Sequence, residues 1–261
     1  MNYENLILEK KEHIAKITLN RPERLNAVSA PLSQELQSVF IEMAKDDDIR
    51  VVVITGAGRA FCAGADVTEM VGGPAYTGGE DIDPHQGSAI IRNLMAIEKP
   101  TIAMVNGAAV GGGSALALAC DMRTGSENTR FMNAFVRVGL SSGWANPWLY
   151  PKAMGLGKAC EILFTGDFLN AEEAEHIGVL NRLVPAEELE KETMALAKKI
   201  AAGPPIAIKL TKRQVYQALQ ADLEAILQRS DEGENFCLET EDHAEGVSAF
   251  LEKRPPQFKG K

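Results

Sequence analysis

Two stretches of small residues offer backbone groups, rather than side chains, for chemistry. One is Ala60-Phe61-Cys62-Ala63-Gly64-Ala65-Asp66-Val67, just after the apolar run Val51-Val52-Val53-Ile54. The other is Val105-Asn106-Gly107-Ala108-Ala109-Val110-Gly111-Gly112-Gly113, where an apolar strand feeds the start of an Ala/Leu-rich helix. Small side chains let a ligand approach the main chain, and glycine tolerates φ values that turn an N–H outward. The first turn of a helix also leaves N–H groups without intrahelical acceptors. Two such N–H groups facing each other would stabilise charge developing on a carbonyl oxygen. The competing explanation is tight strand–helix packing, in which glycine only relieves crowding. A phosphate cradle is disfavoured, because no Gly-x-x-x-x-Gly-Lys and no Gly-x-Gly-x-x-Gly opens a first βαβ unit.

Side chains able to exchange protons are few near these stretches. His85, followed by Gln86 and Ser88, stands at the start of a helix; Tyr76, Glu80, Asp81 and Asp83 lie in the loop before it. Cys62 has no activating neighbour in sequence. The four cysteines, Cys62, Cys120, Cys160 and Cys237, are far apart and form no Cys-x-x-Cys pair. No metal site and no disulfide framework is expected, and a reducing, cytoplasmic compartment is.

The elements that must position these groups follow from periodicity. Residues 6–19 read as a hairpin around Lys11-Glu12-His13. Leu32, Leu36, Val39, Phe40 and Met43 recur at helical spacing within 31–45. A buried strand spans 51–55, and the Gly-, Pro- and acid-rich residues 71–84 form a loop. A helix over 85–97, a strand over 101–105 and a helix over 112–120 come next. Strand-like pieces near Met122 and Phe131 follow, with helices dominating from Gly155 onward. The class is therefore α/β or α+β. Gly203-Pro204-Pro205 divides a core of residues 1–200 from a helical segment, 201–261.

With 261 residues, 45% of them apolar, the chain can bury a full core. A net charge of −9 argues against a nucleic-acid partner. No basic-then-apolar leader opens the sequence. From Thr101 to Cys120 no residue is charged, a length that could span a bilayer. Four glycines, Asn106 and the preceding Pro100 favour a buried strand–turn–helix instead, so no membrane partner is expected.

A wider set of motifs carries a family resemblance. The series Asn20-Arg21-Pro22…Leu25-Asn26-Ala27, Ala60–Asp66, Lys99-Pro100…Val105-Asn106-Gly107…Gly111-Gly112-Gly113…Cys120-Asp121 resembles the enoyl-CoA hydratase/isomerase (crotonase) superfamily. Leu163-Phe164-Thr165-Gly166-Asp167, Ala171-Glu172-Glu173-Ala174, Gly178-Val179-Leu180 and Glu245–Arg254 extend it in the same order. The resemblance implies a crotonase-like spiral of ββα units with a C-terminal helical trimerisation region, assembled as a homotrimer or a dimer of trimers. It implies an acyl-CoA thioester substrate, with coenzyme A as part of that substrate and no other cofactor. The N–H groups of Ala65 and Gly112 would form the oxyanion hole. Arg24, Leu25, Ala63, Gly64, Asp66 and Val67 would line the path of the CoA. Phe250 and Lys253 match positions that reach the CoA of a neighbouring subunit.

The resemblance fails at the acid–base positions. Hydratases of this family hold water between two glutamates, one two residues after Gly-Gly-Gly and one four residues after a strand-opening Phe. This sequence has Ala115 and Phe135 there. Some isomerases of the family carry an Asp after Gly-Leu-x-Pro, where Gly139-Leu140-Ser141-Ser142 is followed by Gly143. Ala, Phe and Gly cannot exchange a proton. Ala115, Phe135, Trp144 and Trp148 together point to an apolar, aromatic acyl pocket. His85 becomes the candidate acid–base residue, since the family places some such groups on that helix. Three readings stay open: an isomerase or hydratase-like lyase with an atypical acid–base group, a decarboxylase or hydrolase of acyl-CoA, and a non-catalytic acyl-CoA binder.

Overall fold

A computed structural model describes residues 3–66, 86–219 and 221–261. Val67, the loop residues Tyr76, Glu80, Asp81 and Asp83, and His85 lie outside the described residues. The chain opens with β1 (Leu6–Lys11) and β2 (Ile14–Leu19), paired antiparallel with Lys11 opposite Ile14. Glu12 and His13 both take positive φ, the geometry of a two-residue turn matched to strand twist. Helix α1 (Ala30–Lys45) is started by Ser29, whose side chain accepts from the Leu32 N–H. Its Leu32, Leu36, Val39, Phe40 and Met43 are fully buried.

Three successive units then repeat a pattern. β3 (Val51–Gly56) and β4 (Ala60–Cys62) precede α2 (Gln86–Met95). β5 (Thr101–Val105) and β6 (Ala108–Val110) precede α3 (Gly112–Leu118). β7 (Met122–Gly125) and β8 (Arg130–Met132) precede α4 (Asn146–Met154). The first strand of each unit enters a six-stranded sheet, and the second enters a four-stranded one. The six-stranded order is β1-β2-β3-β5-β7-β10; the four-stranded order is β4-β6-β8-β9. This is the ββα spiral, with parallel pairing along β3, β5 and β7 and along β4, β6 and β8. The Thr101–Cys120 segment is thus two strands and a short helix in the core. No helix among the described residues is long and apolar enough to cross a membrane.

The remainder is α5 (Leu156–Thr165), β9 (Phe168–Asn170), α6 (Ala171–His176), β10 (Arg182–Leu183), α7 (Leu189–Ala201), α8 (Pro205–Ala218), α9 (Leu223–Leu238) and α10 (Glu241–Glu252). Helices do dominate here, but β9 and β10 close the two sheets, which the helical reading of this stretch did not anticipate. β9 runs antiparallel to β8, with Leu169 buried opposite Phe131. α8 is anchored by Asp121, which accepts from Lys212 Nζ at 2.8 Å and from the Tyr216 hydroxyl at 2.7 Å. Asp121 also accepts from the Thr101 N–H at 2.7 Å, so one carboxylate joins the sheet to the helical segment. That accounts for its place in a framework motif.

Candidate active site

Because β4 and β6 are parallel neighbours, their carboxyl ends emerge side by side. The loop at 63–66 leaves β4, and the turn at 111–112 leaves β6. Gly64 sits at φ +90°, and a Cβ there would lie 2.7 Å from the Val110 carbonyl oxygen and 3.3 Å from the Gly112 nitrogen. Gly113 is just as constrained, since a Cβ would lie 2.1 Å from the Cys62 carbonyl oxygen. The two backbones therefore touch where any larger residue would hold them apart.

Other residues fix the 63–66 loop. Val28 N–H donates to the Gly64 carbonyl at 2.7 Å, and Asp66 N–H donates to the Val28 carbonyl at 3.0 Å. That pairing uses the groups on either side of Ala65 and leaves the Ala65 N–H aside. Asp66 itself is buried, with its carboxylate 3.0 Å from Arg21 Nη1. Its side chain therefore braces the loop. Ala63 N–H donates to the Leu25 carbonyl at 3.0 Å, and Leu25 is half-buried at φ +52° beside exposed Arg24. Among the described residues no acceptor takes the Ala65 or the Gly112 N–H. Gly112 opens α3, where an N–H has no intrahelical acceptor.

Aromatic rings cover this backbone. A Cβ on Gly112 would lie 2.8 Å from Cδ2 and Cε2 of Trp144. A Cβ on Gly87 would lie 2.2 Å from Trp144 Nε1, so the indole is held between α2 and the start of α3. Trp144 and Ala145 both adopt positive φ, an uncommon conformation for non-glycine residues that turns the chain here. Phe135 stands beside the same turn, its ring 3.6 Å from a Cβ on Gly111 and 3.2 Å from one on Gly143. Ala115 is fully buried within α3. Trp148 stands apart, 36% exposed and beneath the Lys152 ammonium at 4.5 Å. The aromatic cover over the glycine turn thus comes from Trp144 and Phe135.

A buried polar cluster lies behind the turn, and sequence reasoning did not find it. Ser114 Oγ donates to the Gly111 carbonyl at 2.8 Å, and Tyr150 OH donates to Ser114 Oγ at 2.9 Å. Asn146 Nδ2 donates to the same carbonyl at 3.1 Å. Burial pushes the Tyr150 hydroxyl far above its ordinary range, so it stays protonated. Burial also pushes the Cys62 thiol up to about 12, which disarms it as a nucleophile. Phe250 and Lys253 lie at the end of the chain's last helix; both are exposed, and Lys253 takes φ +55°.

The family model described as enoyl-CoA hydratase/isomerase matches residues 9–261. The chain belongs to the enoyl-CoA hydratase/isomerase family. It is 36% identical over 255 residues to a short-chain-enoyl-CoA hydratase of Clostridium acetobutylicum, covering 97% of each chain. It is 33% identical over 261 residues to a 1,2-epoxyphenylacetyl-CoA isomerase of Escherichia coli, covering 99% of each. The crystal structure of an enoyl-CoA hydratase from Bacillus anthracis superposes with a TM-score of 0.93 at 34% identity, covering 99% of this chain and 100% of that one. Within this enoyl-CoA hydratase/isomerase family member, positions 115, 135 and 143 carry a methyl group, a phenyl ring and a hydrogen.

Proposed function

We propose that this chain is an acyl-CoA enzyme that stabilises a thioester enolate between the N–H groups of Ala65 and Gly112. The observation that carries this reading is the contact between Gly64 and the 110–112 backbone, with both N–H groups lacking acceptors among the described residues. When a proton or a carboxylate group leaves the carbon next to the thioester, its electron pair moves onto the carbonyl oxygen. Two fixed donors stabilise that charge without reorganising. The expected reaction is isomerisation or a hydratase-like lyase step with an atypical acid–base group, for which His85 is the candidate.

A second reading is favoured by one specific observation. Ala115, Phe135 and Gly143 supply no proton carrier, and the Gly112 turn is covered by Trp144. Loss of CO₂ from a malonyl-type thioester gives the enolate without a base, and an apolar cover suits that step. In either case Arg24, Leu25 and residues 63–67 would run along the CoA, with Phe250 and Lys253 serving a neighbouring subunit. The exposed apolar Val215, Leu219, Leu223, Leu227, Phe236 and Leu238 support assembly through the C-terminal helices, as a trimer or dimer of trimers. Four free cysteines fit the cytoplasm. The test is a panel of enoyl-, malonyl- and aryl-acyl-CoA thioesters. A shifted double bond or added water supports the first reading, and CO₂ supports the second. Failure to bind any thioester overturns both.

A further inference from the structure

Gly111 and Gly112 share one peptide unit, so whatever holds the Gly111 carbonyl also aims the Gly112 N–H. That carbonyl receives three donors: the Ser114 hydroxyl at 2.8 Å, Asn146 Nδ2 at 3.1 Å and the Ala115 N–H at 3.1 Å. A carbonyl oxygen has two lone pairs, so three donors fully occupy it. We propose that Asn146, Ser114 and Tyr150 are positioning residues that clamp and polarise the 111–112 peptide, making Gly112 a stronger donor. This rests on the proposal that the Gly112 N–H meets the thioester oxygen, and deepens it.

Three observations support the clamp. Asn146, Ser114 and Tyr150 are each fully buried, so their hydrogen bonds form away from competing solvent. The orientation of the Asn146 amide is determined by its neighbours. Nδ2 faces two acceptors, the Gly111 carbonyl and Asn133 Oδ1 at 3.3 Å, while Asn133 Oδ1 also accepts from Ser142 Oγ at 2.8 Å. Turning the amide over would set oxygen against oxygen at both places. Asn146 Oδ1 is left buried and without a hydrogen-bond partner among the described residues. An unsatisfied buried acceptor is costly, and here it accompanies an amide whose donor side is fully engaged.

The chemistry follows from amide resonance. Hydrogen bonds at a peptide oxygen draw electrons from nitrogen and leave its N–H more positive. Each such bond strengthens the next by roughly 10–30%. The chain Tyr150–Ser114–Gly111 is a relay of this kind, and Asn146, one turn before Tyr150 on the same helix, adds a second input directly at the carbonyl. None of the three side chains needs to touch the substrate.

The test reads the carbonyl of a bound ligand. Cinnamoyl-CoA labelled with carbon-13 at the thioester carbonyl is saturated onto the full-length protein, and its infrared stretch is compared with that in buffer. Asn146→Leu, which keeps the size but removes the amide, should reduce the bound-state downshift by roughly 10–30%, with CoA affinity changed less than about threefold. Tyr150→Phe should give a smaller reduction in the same direction. A purely packing role would lower the melting temperature and leave the stretch at saturation unchanged. If both folded variants show the wild-type shift, the clamp is wrong while the oxyanion hole stands. If the wild-type protein shows no shift, or does not bind the thioester, the hole itself is wrong and the clamp falls with it. Should Asn146→Leu fail to fold, Tyr150→Phe and Ser114→Ala decide between the same outcomes.

Discussion

The indole of Trp144 lies against Gly112 so closely that one added methyl carbon would meet its ring at 2.8 Å. The residue bearing the proposed donor is thus also the floor beneath an aromatic ring. Two different substitutions can separate those roles.

Gly112→Ala meets the Trp144 ring but keeps the N–H. Gly112→Pro meets the same ring and removes it, at a first helical position where proline's fixed φ is tolerated. If the N–H acts on the substrate, proline should lower turnover by a further ~10²–10³-fold beyond alanine. Equal values in the two folded variants would assign the loss to crowding alone.

Hydration of crotonyl-CoA should be negligible. One acid–base group is typically worth about 10²–10⁴-fold in rate, and neither Ala115 nor Phe135 can act as one. Loss of enoyl absorbance at saturating substrate measures this. A rate typical of a two-glutamate hydratase would point to another base, His85 first. Ala115→Glu combined with Phe135→Glu should recover activity only if the space around Trp144 still admits water.

Lys253→Glu should weaken CoA binding more than about tenfold, since it sets a negative charge against a polyanion at close range. Titration calorimetry compares the two proteins directly. Equal affinity would remove Lys253 from the CoA site.

The end of the chain should loosen in acid. Arg254 holds Glu245 at 2.6 and 2.8 Å, and this pairing draws the Glu245 carboxyl down to about 2 from its usual 4.5. A carboxyl lowered on folding stabilises the fold fully above its unfolded pKa and loses that contribution as pH falls toward the folded one. The contribution should therefore disappear between about pH 4.5 and 2. Glu245→Gln should flatten the pH dependence of melting in that interval. An unchanged slope would show that the pair is screened at the surface.

Regular elements were legible in the sequence where the pattern was long. Leu32 through Met43 declared α1 by their helical spacing, and Val51–Ile54 declared β3 as an unbroken run of β-branched residues buried on both faces. β4, with only Ala60-Phe61-Cys62, is too short to show a period, and it is the strand that aims the Ala65 loop. β9 and β10 were hidden for the same reason among helical residues. The two glycine stretches were visible because close backbone approach demands small residues. Asn146 was not, since 35 positions separate it from the Gly111 carbonyl and nothing local marks a buried asparagine as a donor. Trp144 was noticed as an aromatic residue, yet its positive φ has no glycine to announce it.

The parallel pairing of β4 with β6 has one more consequence. Neighbouring strands sit about 4.8 Å apart whatever side chains they carry. The distance between the two proposed donors is therefore governed by main-chain hydrogen bonding, a ruler that point mutations other than those at Gly64 and Gly113 leave almost untouched. Side chains around that ruler can be exchanged one by one without moving it. A chain with no carboxylate at positions 115 and 135, such as this one, can keep the same main-chain frame, on which a different reaction could be assembled.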